Sequence, residues 1–391
     1  MVFSPRAVVP EKAKIAQKTA DITEIILCIS LLRLIRIITY NKFFVNIIMS
    51  QFRQNPITKQ WVLIAPSRGK RPDQYRTYSV MHGIPDVDHK CVFCPGNEEL
   101  NTEVVRYDKS GLIIPAGVRT KDWEVRVVEN KFAALEHTPV YSHKEFYISH
   151  SGDGDHEVII TRKHNEPVAL QSIATVELTL KVFIDRINAL SRHPELAYAQ
   201  IFHNHGRDAG ASIIHPHYQL LATPIVPPHV HSEIMGCYHY YQTHKTCIYC
   251  DIIKEEKSVK DRIVHEDEHF VVMSAYASRS PFETWVLPKR HGARFEEMTA
   301  EEMKHLSFVL KVTLGQLYTK LSDPPLNFYI HNMPLKRKEG DHRHSAHEEK
   351  AYHWHLTIFP RITIWAGFEF ATGIPVNPIP PEVSTKFLKG E

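Results

Sequence analysis

Gly210-Ala211-Ser212-Ile213-Ile214-His215-Pro216-His217-Tyr218-Gln219 is the stretch whose reading decides the fold. On an extended backbone, residues two apart face the same side, so His215, His217 and Gln219 line up as two imidazoles and one carboxamide. The run leading into it, Asn204-His205-Gly206-Arg207-Asp208-Ala209-Gly210-Ala211-Ser212, is rich in small residues and backbone donors of the sort that close around a phosphate. A histidine nucleophile beside a phosphate cradle is one reading. A buried histidine pair satisfied by core hydrogen bonds is the other.

Outward from this stretch lie two Cys-x-x-Cys pairs, Cys91/Cys94 and Cys247/Cys250, which take four of the six cysteines and leave Cys28 and Cys237 unpaired. No secretory signal is recognisable, so disulfides are the weaker use of these pairs and tetrahedral zinc the stronger. A redox dithiol has the same pattern, but two pairs in one chain with many histidines downstream disfavour it. Neither pair continues into the His-x-x-x-His tail of a nucleic-acid-reading finger.

Strand-like patterns run over Trp61 to Pro66, Val125 to Glu129, Glu157 to Thr161 and Ala199 to His203, with helical spacing over Ile173 to Leu190. A Pro-rich segment, Thr223 to Pro228, reads as a linker. The order then repeats: Cys247/Cys250, strands His269 to Ser274 and Thr284 to Pro288, a helix from Ala300 to Leu321, and a strand through His353 to Ile358. Each half runs Cys-x-x-Cys, strand pair, a lone histidine (His164 or His291), long helix, then His-x-His. This motif order indicates a divergent internal duplication and predicts two ligand sets. One is Cys91, Cys94, His164 and His215; the other is Cys247, Cys250, His291 and His353. Closed four-ligand sites leave no position for substrate, so zinc here acts as a staple that fixes His215 and hence the strand carrying His217.

At 391 residues and 43% apolar, the chain can bury a substantial core and is expected to form two domains, residues 49–228 and 229–391. The net charge of +3 is nearly balanced and no basic stripe appears, so nothing points to nucleic acid. The 26 histidines are the compositional anomaly, although His342, His344 and His347 fall in a polar insertion, Lys336 to Lys350, that reads as a solvated loop. Residues 1–48 do not match the rest. The apolar run Ile25 to Leu32 falls well short of the roughly 20 residues needed to span a bilayer, and Glu11, Asp21 and Glu24 argue against a targeting leader. The segment is expected to be an appendage, with Met49 as the functional start.

The HPHxQ element resembles the active-site signature of galactose-1-phosphate uridylyltransferases, members of the histidine-triad superfamily. The resemblance extends over roughly residues 51–385. Ile57 to Pro72 resembles the family's opening strand and arginine loop, Asn130 to Leu135 its uridine-contacting segment, and Pro281 to Trp285 with Pro288 to His291 its second-domain core. Gly367-Phe368-Glu369 resembles its hexose loop. The implied fold is α+β, two fused histidine-triad-like domains, each a mostly antiparallel sheet with a long helix packed on it.

The resemblance implies a ping-pong transfer of UMP from UDP-glucose to galactose 1-phosphate, with His217 as nucleophile and Gln219 as a neutral donor to a phosphoryl oxygen. It further implies that Asn204, Gly210 and Ser212 hold the phosphates, that Arg68 and Arg71 offset their charge, that Asn130 faces the ribose and that Glu369 faces hexose hydroxyls. A zinc-bearing cytoplasmic homodimer is the implied assembly. An imidazole with an ordinary pKa near 6.5 is nucleophilic at pH 7 without a base. Hydrolase relatives carry a third histidine where Gln219 stands, which favours transfer over a nucleotide hydrolase. Tyr218, in place of the family's usual glycine, is expected to bear on nucleotide fit. The second Cys-x-x-Cys points to an alternative, the ADP-glucose phosphorylase branch, with AMP on His217 and phosphate as acceptor. Pro216 favours the uridylyltransferase, because that branch more often has serine between the histidines. His355, the counterpart of His217 in the second half, lacks the glutamine and the glycine-rich approach and reads as a relic or a packing residue. A two-zinc adaptor or nucleic-acid binder is disfavoured for lack of basic stripes with exposed aromatics.

Overall fold

The computed structural model describes residues 49–69, 85–115, 118, 122–135, 146, 147, 149, 151–335 and 346–391. Residues 1–48 with Cys28, together with Arg71, His342 and His344, lie outside the described residues. Phe52–Glu391 form one compact unit, which carries both Cys-x-x-Cys pairs and the His-x-His strands.

Strands β1 (Gln51–Gln54), β2 (Trp61–Ile64), β3 (Glu103–Tyr107), β4 (Ile113–Ile114), β5 (Val125–Glu129) and β6 (Asp155–Thr161) lead into helix α1 (Ile173–Leu190) and strands β7 (Tyr198–His205) and β8 (His217–Thr223). Helices α2 (Pro228–His244) and α3 (Ile248–Val259) follow, then strands β9 (Ile263–Glu266), β10 (Phe270–Ser274) and β11 (Thr284–Pro288). Helix α4 (Ala300–Leu321), strand β12 (Leu326–His331), helix α5 (Ala346–Ala351), strand β13 (His355–Pro360), helix α6 (Gly367–Thr372), strand β14 (Val376–Asn377) and helix α7 (Pro381–Lys389) complete the order. The fold is α+β.

Eleven strands make one sheet in the order β4-β3-β5-β6-β8-β7-β12-β13-β11-β10-β9. Every neighbouring pair in it is antiparallel. The two expected sheets are therefore continuous, joined where β7 pairs with β12 in the register Asn204↔Asn327 and His203↔Phe328. Strand order mirrors itself about that junction: β8 answers to β13, β6 to β11 and β5 to β10, with α1 and α4 each entered from β6 and β11. The repeated motif order of the sequence is thus a repeated strand order in space.

Local chemistry explains the main boundaries. Thr299 accepts from the Glu302 amide at 3.2 Å while the Glu302 carboxylate accepts from the Thr299 amide at 2.8 Å, a capping box that starts α4. The Ser172 hydroxyl accepts from the Thr175 amide to start α1. The first expected strand stops at Ile64, two residues early, because Pro66 opens a short 3-10 turn through Arg68. The segment read as a linker is shorter than expected, since Pro228 already occupies the first turn of α2, where a missing N–H costs nothing.

One face of the sheet carries the core. Val176, Leu180, Phe183 and Ile187 of α1, and Leu306, Leu310, Leu314 and Leu317 of α4, recur every three or four residues and are buried against Tyr218, Leu220, Phe328 and Ile358 of the sheet. Each such fully buried side chain contributes about 1.5–3 kcal/mol. The helices also pack on each other, so both halves share one core.

Candidate active site

Alternation along β8 decides what reaches the site. Tyr218 is 1% exposed and turned to the helix side, its ring 5.0 Å from that of Phe183 and 5.8 Å from that of Phe328, with its hydroxyl donating to Gln171 at 3.5 Å. The expected influence of Tyr218 on nucleotide fit is overturned: a residue between His217 and Gln219 points to the opposite face. The other face carries His217 and Gln219, flanked in register by Ile160 and Val158 of β6 and by Phe202 of β7.

His217 is 7% exposed, and its Nδ1–H donates to the His215 carbonyl oxygen at 2.8 Å. A carbonyl can only accept, so the proton sits on Nδ1 and Nε2 keeps the lone pair. No partner takes Nε2 among the described residues. Burial holds the ring below its ordinary pKa and therefore neutral. Phe93, inside the first Cys-x-x-Cys, packs its ring 5.3 Å from that of His217 and 6.1 Å from that of His215. His203 of β7 donates from Nδ1 to the His217 carbonyl at 2.7 Å and pins the strand from the other side.

Gln219 Oε1 lies 2.9 Å from His156 Nε2 on β6. His156 in turn meets the Ala134 amide at Nδ1, 3.2 Å, and the Asn130 amide nitrogen at 3.0 and 3.4 Å from its two ring nitrogens. Asn130 and Gln219 are thereby brought together through a histidine that sequence reasoning missed. His156 lies one residue before the expected strand Glu157 to Thr161, within the observed β6, and nothing local marks it.

The approach to the His-x-His strand is a tight loop. Gly206 (φ 79°) and Gly210 (φ 89°) bracket the turn Arg207–Ala209, and a Cβ at Gly206 would sit 2.9 Å from the Pro325 side chain, so only glycine fits there. Asn204 is half-buried at the end of β7, and Gly210 and Ser212 are exposed. Asn204 Oδ1 accepts from Asn327 Nδ2 of β12 at 2.7 Å. The amides of Ala209, Gly210 and Ala211 donate to the Gly206 and Arg207 carbonyls within the turn, so what the loop offers ahead of β8 is small residues and the Asn204 side chain.

The two Cys/His sets assemble as the spacing predicts. Ligand atoms of Cys91, Cys94, His164 and His215 lie within 4.8 Å of one another, and so do those of Cys247, Cys250, His291 and His353. A tetrahedral zinc with sulfur at about 2.3 Å and nitrogen at about 2.0 Å requires sulfur-to-nitrogen edges of about 3.5 Å. The edges measure 3.7, 3.3 and 3.5 Å in the first set and 3.8, 3.7 and 3.6 Å in the second. In both, the strand histidine donates its Nε2–H to the carbonyl at or near the end of the neighbouring strand: His215 to Thr161 at 2.6 Å, His353 to Pro288 at 2.9 Å. That leaves Nδ1 as the free donor atom facing the sulfurs. Burial pushes the His215 imidazole down to about 3 and the Cys94 thiol up to about 11, so metal entry meets a neutral ring and displaces thiol protons. Both sets can hold a metal ion.

The remaining expected residues are dispersed. Arg68 is exposed on the turn after β2, which belongs to a separate three-stranded sheet with β1 and β14. Glu369 is buried in α6, where its carboxylate accepts the Ala366 amide at 3.0 Å. A third cluster, Glu233, His331 and His355, also escaped sequence reasoning, because Glu233 sits in the unassigned helix α2. His331 lies 2.9 Å from Glu233 and stacks on His355 at 4.0 Å, so His355 is buried among charged and aromatic neighbours. Burial alone would raise the Glu233 carboxyl, but His331 holds it below the usual carboxylate range.

Among the described residues no helix is long and apolar enough to cross a membrane. Residues 41–227 match the family described as galactose-1-phosphate uridyl transferase, N-terminal domain, and residues 233–369 match its C-terminal domain. An ADP-glucose phosphorylase of Arabidopsis thaliana is 33% identical over 346 residues, 87% of this chain and 92% of that protein. A galactose-1-phosphate uridylyltransferase of Thermotoga maritima is 26% identical over 351 residues, 87% of this chain and 98% of that protein. The crystal structure of an ADP-glucose phosphorylase from Arabidopsis thaliana with bound ADP-glucose is similar at a TM-score of 0.71 and 30% identity, over 88% of this chain and 99% of that one. Matched along both halves, this chain belongs to the galactose-1-phosphate uridylyltransferase family.

Proposed function

We propose that this enzyme moves a nucleoside monophosphate from a glucose nucleotide to an acceptor through a covalent intermediate on His217. The single observation that carries the reading is the His217 hydrogen bond to the His215 carbonyl, which leaves Nε2 as an unprotonated nucleophile without a partner among the described residues. Nε2 attacks the α-phosphorus; a P–N bond forms and the P–O bond to glucose 1-phosphate breaks. The leaving group departs as a stable anion and takes no proton from the protein. The proton on Nδ1 stays in place, and the His215 carbonyl that receives it offsets the charge on the substituted ring. An acceptor oxygen then attacks phosphorus from the opposite side and the P–N bond breaks, restoring His217. Gln219, Asn204 and the Ser212 backbone donate to phosphoryl oxygens, where charge builds in each transfer, and Gly210, whose own amide donates to the Arg207 carbonyl, lets the chain pass close to them. Arg68 and Arg71 are read as phosphate partners, Asn130 as a ribose contact and Glu369 as a hexose contact.

Zinc is the metal proposed for both Cys/His quartets, which would serve as staples: the ion fixes the Phe93 knuckle and the His215 strand against which His217 is set. Residues 49–228 and 229–391 are read as two copies of one ancestral unit, only the first of which keeps the HPHxQ element.

Two donors fit this site. ADP-glucose with phosphate as acceptor is supported by the 33% identity to the Arabidopsis thaliana ADP-glucose phosphorylase and by the second cysteine pair. UDP-glucose with galactose 1-phosphate as acceptor is supported by both family matches and by Pro216. Incubation with each donor labelled at the α-phosphate, followed by denaturing gel separation, decides between them. The base that leaves label on the protein names the donor, and the acceptor that strips it names the reaction. A His217→Gly protein that still takes label would end the proposal.

A further inference from the structure

We propose that His156 is a positioning residue for the transfer, holding the Gln219 carboxamide so that its NH2 group, and not its oxygen, is turned to the phosphoryl oxygens. The proposal rests on reading His217 as the nucleotide carrier and Gln219 as a phosphoryl donor. A carboxamide is nearly symmetric in shape, yet only one of its two orientations can donate to a phosphate. Something must choose between them.

The choice traces back to a group that cannot be reversed. The Ala134 backbone amide points at His156 Nδ1 from 3.2 Å, and a backbone N–H only donates. Nδ1 must therefore accept, which puts the ring proton on Nε2. Nε2 is 2.9 Å from the Gln219 side chain, so the atom facing it must be the oxygen. With Oε1 taken, the Gln219 NH2 is left for substrate, and no partner takes it among the described residues. The other tautomer would set two N–H groups against each other at Ala134. A flipped Gln219 would do the same at Nε2.

Asn130 does not disturb this chain. Its amide nitrogen is too close to both ring nitrogens, 3.0 and 3.4 Å, to lie in the ring plane, and so rests over the ring face. Its own oxygen is occupied by the Phe132 amide at 3.0 Å. The polarity of the Gln219 donor is thus set by the backbone of residues 130–135, the segment read as facing the nucleoside. Hydrogen bonds run from that loop through His156 to Gln219.

The test uses the full chain, with ADP-glucose and UDP-glucose labelled at the α-phosphate, and follows single-turnover labelling of the protein. Gln219→Ala is expected to slow labelling at saturating donor by about 100-fold, the usual cost of one transition-state donor. His156→Asn reaches Ala134 but not Gln219, and is expected to slow labelling about tenfold while the half-saturating donor concentration moves less than about threefold. His156→Gln places an amide donor near the Nε2 position and is expected to return the rate to within about threefold of the parent. In a Gln219→Ala background, His156→Asn should add less than about twofold, because the group it orients is gone.

An equal loss from His156→Asn in both backgrounds, or a His156→Gln protein as slow as His156→Asn, would overturn the proposal and leave His156 a packing residue. His156→Phe makes the same comparison if His156→Asn does not yield folded protein. A different failure has a different signature. If Gln219→Ala labels at the parent rate, or the parent takes no label from either donor, the reading of the site itself falls and this inference falls with it.

Discussion

Asn327 of β12 donates to Asn204 Oδ1 at 2.7 Å and to the Ala209 carbonyl at 2.8 Å, so a side chain of the second half holds the loop of the first that is proposed to cradle phosphate. The Ala209 carbonyl can only accept, which identifies this end of Asn327 as its NH2 group and the facing atom of Asn204 as oxygen. The Asn204 NH2 is then left for a phosphate. The β7–β12 junction is more than a seam between two sheets.

Asn327→Asp would set a carboxylate against two acceptors. Affinity for the donor nucleotide, measured by calorimetry on a His217→Gly background that cannot turn over, is expected to fall about 10–30-fold, or about 1.4–2 kcal/mol. Asn327→Ala, which removes the donor without adding repulsion, should cost about fivefold. Unchanged affinity in both would mean that Asn204 does not need the second half.

Removing one cysteine from each quartet separates scaffold from chemistry. Cys94→Ser and Cys250→Ser should each bind one metal ion fewer than the parent by elemental analysis, and both should melt earlier. Only Cys94→Ser should lose labelling of His217, because only that quartet includes His215 and encloses Phe93. Equal loss of labelling in the two variants would contradict this division.

Phe93 packs against both histidines of the HPHxQ element from between Cys91 and Cys94. Truncating a buried phenylalanine costs about 3–5 kcal/mol, so Phe93→Ala should reduce unfolding free energy by roughly that amount in urea titrations. Phe93→Leu keeps most of the volume and should cost less than about 1.5 kcal/mol. Labelling in the alanine variant should slow even at temperatures where it remains folded, since His217 loses one wall.

Burial of His203 pushes its pKa down to about 3 in the folded protein, with His205 adding a smaller push in the same direction. The unfolded chain titrates near 6.5. Below about pH 6.5 the unfolded state binds this proton and the folded state does not, so the contribution of His203 to stability is full above that pH and is lost as pH falls toward about 3. His203→Phe should flatten the fall in unfolding free energy between pH 6.5 and 4 by up to about 1.4 kcal/mol per pH unit. Parallel curves for the two proteins would show that His203 takes up its proton at the same pH folded and unfolded.

Much of this was legible along the chain. The helices at Ile173–Leu190 and Ala300–Leu321 and the strands at Val125–Glu129 and Thr284–Pro288 lie where periodicity places them, because buried faces impose a period that survives without tertiary context. Both ligand quartets also came together from motif order alone. Tyr218 is the instructive miss. The same alternation that put His217 and Gln219 on one face already sends Tyr218 to the other, and an analogy to a family glycine set that rule aside. Helix α2 was passed over because only Val230, Glu233, Ile234 and Cys237 of its seventeen residues are buried, and α3 because the Cys-x-x-Cys reading of its start drew attention from the helical spacing of Tyr249, Ile253 and Glu256.

Residue types, their periods and their short spacings determined the elements, the paired Cys/His quartets and the shared face of His217 and Gln219, since each depends on neighbours within a few residues or on a repeated local unit. Only the tertiary structure decided that two half-sheets fuse through β7 and β12, that Asn327 reaches Asn204, and that His156 meets Gln219. Those contacts join residues 123 and 63 positions apart. Their partners are ordinary polar side chains with no periodic signature, and a hydrogen bond's direction follows from which atoms meet, a fact that exists only once the chain has closed on itself.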